Sequence, residues 1–280
     1  MSIISVAALG RPLKVGMLYD CRTDSVVPGE VVLSNQCDFS ENTSTIDVNS
    51  TKTHVLTADD LSNRAAALQM SPAITLSVLS DLVKVSGSGI YYTANNKCYR
   101  SIRVTLHCEV LTSIQVPREN ISQITAENNP QVFCCGMATH VVSAVQYGAN
   151  GFFVFEKDLS PGSTSQASAA DVLEQLVTDI SSGIKVFDDK NVVCRYYGDI
   201  VLEKESVFSV GRASAIIAAF QTFARRKPVT MKGFLYPLAK LSPSAAGVIC
   251  NPDDADSCWC SDLQQRSIRG RRSQNSINYV

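Results

Sequence analysis

The chain has 280 residues, a formal net charge of −1 and 45% hydrophobic residues. This composition indicates a folded globular protein with a sizeable core, and it excludes a chain that is disordered throughout. The near-neutral charge gives no global attraction to nucleic acid or to anionic membranes. We therefore expect no nucleic-acid partner, and any action on a membrane must come from local features.

The N-terminal stretch MSIISVAALGRPLKVG has a short apolar start with no basic residues before it. Its apolar stretch is too short for the hydrophobic region of a secretory signal peptide. No apolar run in the chain reaches the roughly 18 residues of a membrane-spanning helix. The sequence thus shows no export signal, which keeps a cytoplasmic location open as an alternative.

Residues 13–33 predict two strands joined by a turn near Pro28 and Gly29. Residues 34–97 form a first insert that is polar at its start and apolar later. The apolar half of this insert fits both periodicities. Apolar residues alternate with polar ones as in a strand, and Leu76, Leu79 and Leu82 also fit one face of a helix. The first insert therefore satisfies both the helical and the strand period.

Residues 102–116 alternate between apolar and polar side chains with few interruptions, which is typical of a half-buried strand. At about 3.4 Å per residue such a strand would be roughly 50 Å long, far beyond the usual mean of about 5–6 residues. A second alternating strand is predicted at 192–203. A third, at 151–156, is apolar on both faces and should be covered on both.

The segment before that third strand predicts a helix over 137–147, because Met137, Val141 and Val145 recur every four residues and Gly148 could end the helix. His140 then lies at the flank of the apolar face. We also consider an enzyme in which Cys134 or Cys135 is the nucleophile and His140 the base. The predicted helix would point these side chains in unrelated directions, and no nucleophile elbow or phosphate loop appears. The sequence predicts no catalytic residue, no cofactor and no small-molecule substrate.

Residues 157–190 form a second insert with one helix, capped by Ser168 and ended at Gly183. A further helix stops at Pro228. Strands and helices in this order predict an α+β fold with an antiparallel sheet. One domain over residues 1–241 accounts for all of these elements.

Residues 242–280 lose every periodicity and end in a basic stretch, so we predict a disordered C-terminal tail there. The tail contains Cys250, Cys258 and Cys260, with no histidine nearby. The ten cysteines of the chain show no C-x-x-C pair of the kind that holds zinc, so we expect no metal.

Five segments, taken in order, carry a resemblance to a known family. They are residues 8–29, SGSGIYY at 86–92 with RVTL at 103–106, ATHVVSAVQYGANGFFVF at 138–155, CRYYGDIVLE at 194–203 and FLYPLAKL at 234–241. Together they resemble the N-terminal domain of stonustoxin-type fish venom toxins. These toxins fall in the membrane-attack-complex/perforin and cholesterol-dependent-cytolysin superfamily. The resemblance covers about residues 7–241.

The resemblance implies a bent, twisted, four-stranded antiparallel sheet with long strands, flanked by two helical clusters. It also implies that the Gly-x-x-Thr-His element and the residues after it hold the fold and do no acid–base chemistry. The residues of this structural signature are Gly136, Thr139, His140, Tyr147 and Gly148.

The implied activity is that of a pore-forming or membrane-perturbing protein acting outside cells or at membranes. Its two inserts, about 34–97 and 157–190, would refold into amphipathic β-hairpins as the protein assembles on lipid with copies of itself or with a related subunit. The candidate membrane-inserting residues are Ile74, Leu76, Val78, Val83, Val85, Val172, Leu173, Leu176, Val177 and Ile180.

Two observations keep an alternative open. The second insert would carry Asp179, Asp188 and Asp189 along a hairpin with poor alternation. The venom toxins also continue into further domains after the one that this chain resembles. The alternative is a non-lytic, perforin-like interaction module, or a subunit that needs a partner chain.

Overall fold

A computed structural model gives the fold of the chain. It describes residues 3–30, 42–94, 101–118, 120–121, 132–133, 136–159, 166–184, 186, 188–202 and 206–241. The predicted tail at 242–280 lies outside the described residues, as do Cys134 and Cys135, and the prediction of a tail stays a prediction.

The described residues form one antiparallel sheet flanked by helices, which confirms the predicted mixture of elements. The strands are β1 (Ile4–Ala7), β2 (Met17–Asp20), β3 (Ser25–Glu30), β4 (Thr43–Leu56), β5 (Ser101–Pro117), β6 (His140–Asp158), β7 (Val192–Gly198), β8 (Val207–Ser209) and β9 (Val229–Pro237). The helices are α1 (Leu61–Ala67), α2 (Pro72–Leu79), α3 (Ile90–Thr93), α4 (Gln166–Ser181) and α5 (Val210–Arg226), with short 3-10 turns at Gly87–Gly89 and Leu238–Lys240.

The sheet has nine strands in the described residues, so the expected number of four is wrong. Four strands, β4 to β7, form a central antiparallel meander in chain order. The additional strands exist because β6 is 19 residues long. Its second half pairs with β7, whereas its first half pairs with β9 and β2. Strands β1, β3 and β8 then pair with β9, β2 and β7.

The helix predicted over 137–147 is wrong, because the strand β6 already begins at His140. Residues four apart lie on one face of a strand as well as on one face of a helix, so the spacing of Val141 and Val145 did not discriminate. Both faces of this strand are covered, and Val141, Val142 and Val145 are all fully buried. Apolar residues on both faces removed the alternation that indicates a strand.

Three further features differ from the predictions. Strand β4 occupies a portion of the first predicted insert, and it was missed because most of its side chains are exposed and polar. Pro28 and Gly29 lie inside β3, and the turn between β2 and β3 is at residues 21–24, where Asp24 has a positive φ of 51°. Ser168 lies inside the first turn of α4 rather than before it.

Two cores lie on opposite faces of the sheet, because successive residues of a strand point to opposite sides. Phe152 and Val154 contribute to the first core, together with α2, α3 and the strands β1 to β3. Phe153 and Phe155 contribute to the second core, beneath α4 and α5. Each face of the central strands is therefore held by its own set of helices.

Candidate functional site

The two helical segments leave the sheet at the same end. The first insert, predicted at 34–97, is the segment 57–100 that connects β4 to β5. The second insert, predicted at 157–190, is the segment 159–191 that connects β6 to β7. Leu56 pairs with Thr105, Ser101 with Asp158, and Lys157 with Val192. Each insert therefore joins the ends of two neighbouring antiparallel strands, and both inserts lie at the same end of the sheet. The first lies against the first core and the second against the second core.

Short capped helices build the first insert. The side chain of Asp60 accepts a hydrogen bond from the backbone N–H of Asn63 at the start of α1, and Ser71 caps α2 in the same way. The predicted insertion residues divide in this folded state. Ile74, Val78 and Val83 are buried, Val85 is half-buried, and Leu76 is 64% exposed.

Arg64 of α1 ties the first insert together from inside. Its guanidinium forms a salt bridge of 2.6 Å with Asp59 and donates hydrogen bonds to the carbonyl oxygens of Tyr91 and Ala94. The Arg64 side chain is 9% exposed. The buried guanidinium of Arg64 therefore connects the start of the first insert to α3, which lies near the end of the same insert.

A row of charges continues from this arginine onto the sheet. Arg103 of β5 lies 3.5 Å from Asp59 and 3.1 Å from Glu156 of β6, and Arg195 of β7 lies 3.4 Å from Glu156. Burial alone would raise the pKa of Glu156, but hydrogen bonding from Ser101 and the charge of Arg103 lower it below its usual value. The carboxylate is thus held ionised where the first insert meets three central strands.

A second connection is made by Asp199, directly after β7. Its carboxylate accepts hydrogen bonds from the backbone N–H of Ser88 in the first insert and of Asn150 in β6, both at 2.8 Å. Burial raises the pKa of Asp199 above its ordinary value, although these hydrogen bonds act in the opposite direction. The first insert is therefore fixed to the sheet through a buried carboxylate whose pKa is raised.

Aromatic stacking completes the seat of the first insert. The rings of Tyr91 and Phe152 are 4.2 Å apart and nearly parallel, and His107 stacks on Phe152 at 4.3 Å. Burial raises the pKa of Tyr91 to about 12. Burial also lowers the pKa of His107. His107 Nε2 lies 3.0 Å from Asn150 Oδ1. The first insert is therefore held by the stacking of Tyr91 on Phe152 as well as by the ion pair between Asp59 and Arg103.

The second insert is seated mainly by one apolar helix face. Leu173, Val177 and Ile180 of α4 are buried in the second core, Leu176 is half-buried, and Val172 is 61% exposed. Beyond the helix, Lys157 forms a salt bridge of 3.1 Å with Asp189. In this state α4 is an ordinary amphipathic helix.

Tyr147 and Gly148, from the predicted structural signature, lie where the central strands shift register. The pairing of β5 with β6 shifts between Leu111 and Ser113, and that of β6 with β9 shifts next to Tyr147. A Cβ at Gly148 would overlap the carbonyl oxygen of Val110. Thr112 donates a hydrogen bond to the carbonyl oxygen of Tyr147. A glycine is required here because two backbones approach closely.

Gly136, Thr139 and His140 lie at the other end of β6, away from the inserts. The backbone N–H of Thr139 donates to the carbonyl oxygen of Tyr19, and its own carbonyl oxygen accepts from Leu238. Thr139 thus joins β2, β6 and the end of β9. The structure adds one contact that the sequence did not predict, a distance of 3.1 Å between Cys21 Sγ and His140 Nδ1.

Known proteins share this fold and parts of this sequence. A solved stonustoxin structure aligns over 87% of this chain and 33% of its own length, with a TM-score of 0.60 and 23% identity. The long antiparallel sheet with two helical inserts at one end is therefore a fold that this chain shares with stonustoxin. Among curated relatives, this chain is 29% identical over 212 residues to stonustoxin subunit beta of Synanceia horrida, covering 71% of this chain. It is 26% identical over 262 residues to cytolytic toxin-alpha of Scorpaena plumieri, covering 87% of this chain.

The homologues are thus stonustoxin-type toxin subunits, and the resemblance seen in the sequence is confirmed. The chain spans about a third of the length of these relatives, 36% of cytolytic toxin-alpha and 30% of stonustoxin subunit beta. No family model matches the chain. Within the described residues, the helices are too short or too polar to cross a membrane.

Several residues of this site were not predicted from the sequence: Asp59, Arg64, Arg103, Glu156 and Asp199. Each is a charged residue with at least one partner that is distant in the chain or on another strand. In the sequence around each of these residues, the hydrophobic pattern marks the position as polar and does not reveal its partner. The one available signal was Glu156, a charge at the end of the otherwise apolar run GFFVF.

Proposed function

We propose that this chain is the membrane-perturbing, pore-forming domain of a stonustoxin-like protein, and that its first insert refolds into a β-hairpin that extends β4 and β5. The observation that carries the proposal is the register of these two strands. Val55 pairs with Leu106 and Leu56 with Thr105, at the end of the sheet from which the first insert leaves.

Continuing this register without a bulge pairs four of the five predicted insertion residues of the first insert with one another, and Ile74 would lie opposite Gly87. Val78 would lie opposite Val83, and Leu76 opposite Val85, with Ser80 and Asp81 as a two-residue turn. On the ascending strand the same face would carry only apolar residues from Ala66 to Val78, at every second position: Ala66, Leu68, Met70, Pro72, Ile74, Leu76 and Val78. The other face between them is small or polar from Gln69 to Ser77.

Such a hairpin meets the requirement of a bilayer. A membrane-crossing strand needs about 9–11 residues with one apolar face, which the segment from Ala66 to Val78 exceeds. Its backbone groups must also be paired, so hairpins of neighbouring molecules have to close a barrel. Among the described residues, β4 pairs only with β5, so its other edge can accept a strand from a neighbouring molecule. The proposed partners are a lipid membrane and copies of this chain or a related subunit.

The second insert favours a second candidate function. Continuing the register of β6 and β7 would place Val172 opposite Val177 on one face, and Leu173 opposite Leu176 on the other. The five predicted insertion residues of this insert therefore divide between both faces, and neither face is continuously apolar. The second candidate is a chain that inserts one hairpin only and needs a related subunit to complete the barrel, or a non-lytic module that keeps the fold.

The remaining elements of the proposal follow from the same comparison. We propose action outside cells or at a membrane surface, no cofactor and no nucleic-acid partner. We propose no enzymatic activity for the domain. The toxin relatives support the location and the partners, and the register of β4 and β5 supports the mechanism.

The experiment is a lipid-exposure scan combined with dye release from liposomes made with and without sterol. Single cysteines carrying an environment-sensitive dye replace Leu76 and Val78 on the predicted lipid face. Matched controls at Thr75 and Ser77 lie between them on the other face. We expect a blue shift for the first pair only, together with leakage. Equal shifts at all four positions would contradict the hairpin, because a helix lying on the bilayer has no period of two.

A disulfide lock separates the two candidate functions. A Cβ at Gly89 would lie 3.3 Å from the Cβ of Leu9, close to the separation found in disulfides. In the variant Leu9→Cys/Gly89→Cys we expect no leakage when oxidised and leakage when reduced. Folded protein that never leaks alone, but leaks when mixed with a related subunit, supports the second candidate. Leakage that is unchanged by the lock would overturn release of the first insert.

A further inference from the structure

A cavity lies at the end of the sheet opposite the two inserts, beside the contact between Cys21 and His140. Its volume is about 350 Å³, within the range of small-ligand sites. Val132, Phe133, Ala138 and Leu238 form much of its apolar wall. Cys21 and His140 lie in the same wall with Thr139. A molecule that enters this cavity therefore meets a thiol and an imidazole side by side.

The geometry of the pair is that of a proton donor and its acceptor. Cys21 Sγ lies 3.1 Å from His140 Nδ1, within the range of a hydrogen bond to sulfur. Thr139 fixes both partners, because its Oγ1 accepts a hydrogen bond from the backbone N–H of Cys21 and lies 2.8 Å from His140 Nδ1. Cys21 is half-buried, so its sulfur remains reachable from the cavity.

The protonation states fit this geometry. Burial raises the pKa of Cys21, and the carboxylates of Asp24 and Asp20 add to that effect. Burial lowers the pKa of His140. Nearby, Asp20 is paired with Arg22, and Asp24 accepts a hydrogen bond from Ser77. At neutral pH the pair therefore rests as thiol and neutral imidazole. Thr139 donates its hydroxyl proton to the carbonyl oxygen of Tyr19, and in the tautomer that carries its proton on Nε2, His140 Nδ1 accepts from the thiol of Cys21.

We propose that Cys21 is a nucleophilic thiol site that takes a low-molecular-weight, uncharged disulfide in this cavity, with His140 as the residue that receives its proton. In the step, the proton moves from Cys21 Sγ to His140 Nδ1 as the sulfur attacks one sulfur of the small disulfide. The S–S bond of that molecule breaks, its other half leaves as a thiolate, and the thiolate takes the proton from His140. Cys21 ends as a mixed disulfide and one small thiol is released.

The other cysteines of the described residues provide the internal comparison. Cys108 is 3% exposed and Cys194 is fully buried in the second core. Burial raises the pKa of Cys108 to about 12, and it raises the pKa of Cys194 further. Both sulfurs are too deeply buried for a small disulfide to reach, whereas Cys21 is half-buried in the wall of a cavity. The site assigned here also differs from the pair of cysteines at 134 and 135 considered from the sequence, because the imidazole is hydrogen-bonded to Cys21.

The position of the site makes the proposal independent of pore formation. Cys21 lies at the His140 end of β6, whereas both inserts leave from the Asp158 end. The turn after Cys21 does contact the first insert, because Asp24 accepts a hydrogen bond from Ser77. The reaction of Cys21 is measured on the folded chain without a membrane, so failure of the membrane experiments does not bear on the thiol site.

The test measures the rate at which the full chain reacts with bis(2-hydroxyethyl) disulfide near neutral pH, followed by peptide mass spectrometry. A synthetic peptide of residues 17–25, in which Cys21 is the sole cysteine, gives the reference rate. We expect Cys21 in the folded protein to react at least about tenfold faster than in the peptide, since a positioned base contributes about that much or more. Dithiothreitol should reverse the adduct.

The variant His140→Gln tests the role of the imidazole, with His54→Gln on the exposed strand β4 as the matched control. We expect a rate loss of about tenfold or more for the first variant and none for the second. If His140→Gln does not fold, the comparison of the wild-type chain with the peptide still decides. A folded-state rate equal to or below that of the peptide, or equal rates for the two variants, overturns the proposal.

Discussion

Asp199 accepts a hydrogen bond of 2.8 Å from the backbone N–H of Ser88, and this contact joins the first insert to the last strand of the central meander. The second carboxylate oxygen holds Asn150 of β6 in the same way. Release of the first insert therefore requires that a buried carboxylate give up one of its two partners. The acidity of Asp199 should accordingly determine how firmly the insert is held.

The variant Asp199→Asn tests this relationship through pH. Burial raises the pKa of Asp199 in the folded state, so the folded chain binds this proton more tightly than the unfolded chain does. The resulting stabilisation is fully present below the unfolded pKa of about 3.9, and it is lost as pH rises through the raised folded value. We expect the free energy of unfolding of wild type, relative to the variant, to fall as pH rises through this window.

Urea denaturation of both proteins between acidic and neutral pH provides the measurement. Asparagine does not titrate, and every other group is shared, so the difference between the two curves isolates Asp199. A difference that stays constant, or that grows with rising pH, would contradict the buried position of this carboxylate.

Arg64 should contribute far more to stability than a surface cation. The variant Arg64→Met leaves Asp59 with one cationic partner fewer and leaves the carbonyl oxygens of Tyr91 and Ala94 without their donor. We expect a loss of about 3 kcal/mol in the free energy of unfolding. The matched control is Lys157→Met, whose salt bridge with Asp189 is more exposed and should be worth less than about 1 kcal/mol.

Chemical denaturation measures both variants, and amide exchange at residues 88–94 reports the first insert itself. We expect faster exchange there in Arg64→Met and not in Lys157→Met. Equal losses for the two variants would show that Arg64 does not bridge the insert.

The elements that could be predicted well from the sequence are those with one buried face and one solvent-exposed face. Strand β5 is such an element, and its predicted range of 102–116 agrees with Ser101–Pro117. Strand β6 has both faces covered, so its first half lacks alternation and resembles a helix. Strand β4 has the opposite difficulty, since neither face is deeply buried and its residues read as a polar loop.

The candidate site was predictable only where it rests on periodicity. The apolar residues of both inserts were identified because they recur at regular spacing. The contacts that hold the first insert, from Asp199 to Ser88 and from Arg103 to Asp59, join residues that are far apart in the chain. Nothing local marks such residues, because a buried ion pair and a solvated charge look the same in a sequence.

Helix α4 should tolerate substitution on one side only. Leu173 is 1% exposed and Val172 is 61% exposed, although both were predicted as insertion residues. We expect Leu173→Ala to cost about 2–5 kcal/mol through lost burial and a cavity, and Val172→Ala to stay within about 0.5 kcal/mol. Thermal and urea unfolding of the two variants supply the comparison, and similar costs would mean that α4 is not packed on the sheet as described.

Gly148 gives the clearest test of how closely the central strands pack, because the space for a new side chain there can be separated from backbone strain. A Cβ there would overlap the carbonyl oxygen of Val110 and press on Met231, both of which belong to neighbouring strands. Gly148 is not one of the glycines with a positive φ. The cost of Gly148→Ala therefore comes from the steric overlap of the new methyl group alone. We expect a loss of about 2–4 kcal/mol in the free energy of unfolding.

Gly183 supplies the matched control with the opposite properties. Its φ is +76°, and a Cβ there would meet nothing within 4 Å. Gly183→Ala should therefore cost only the backbone strain of about 1 kcal/mol. Urea denaturation of the two variants measures the difference. If Gly148→Ala were no worse than Gly183→Ala, then β5, β6 and β9 would not approach at Gly148 as closely as described, and the signature residues would hold the fold by some other contact.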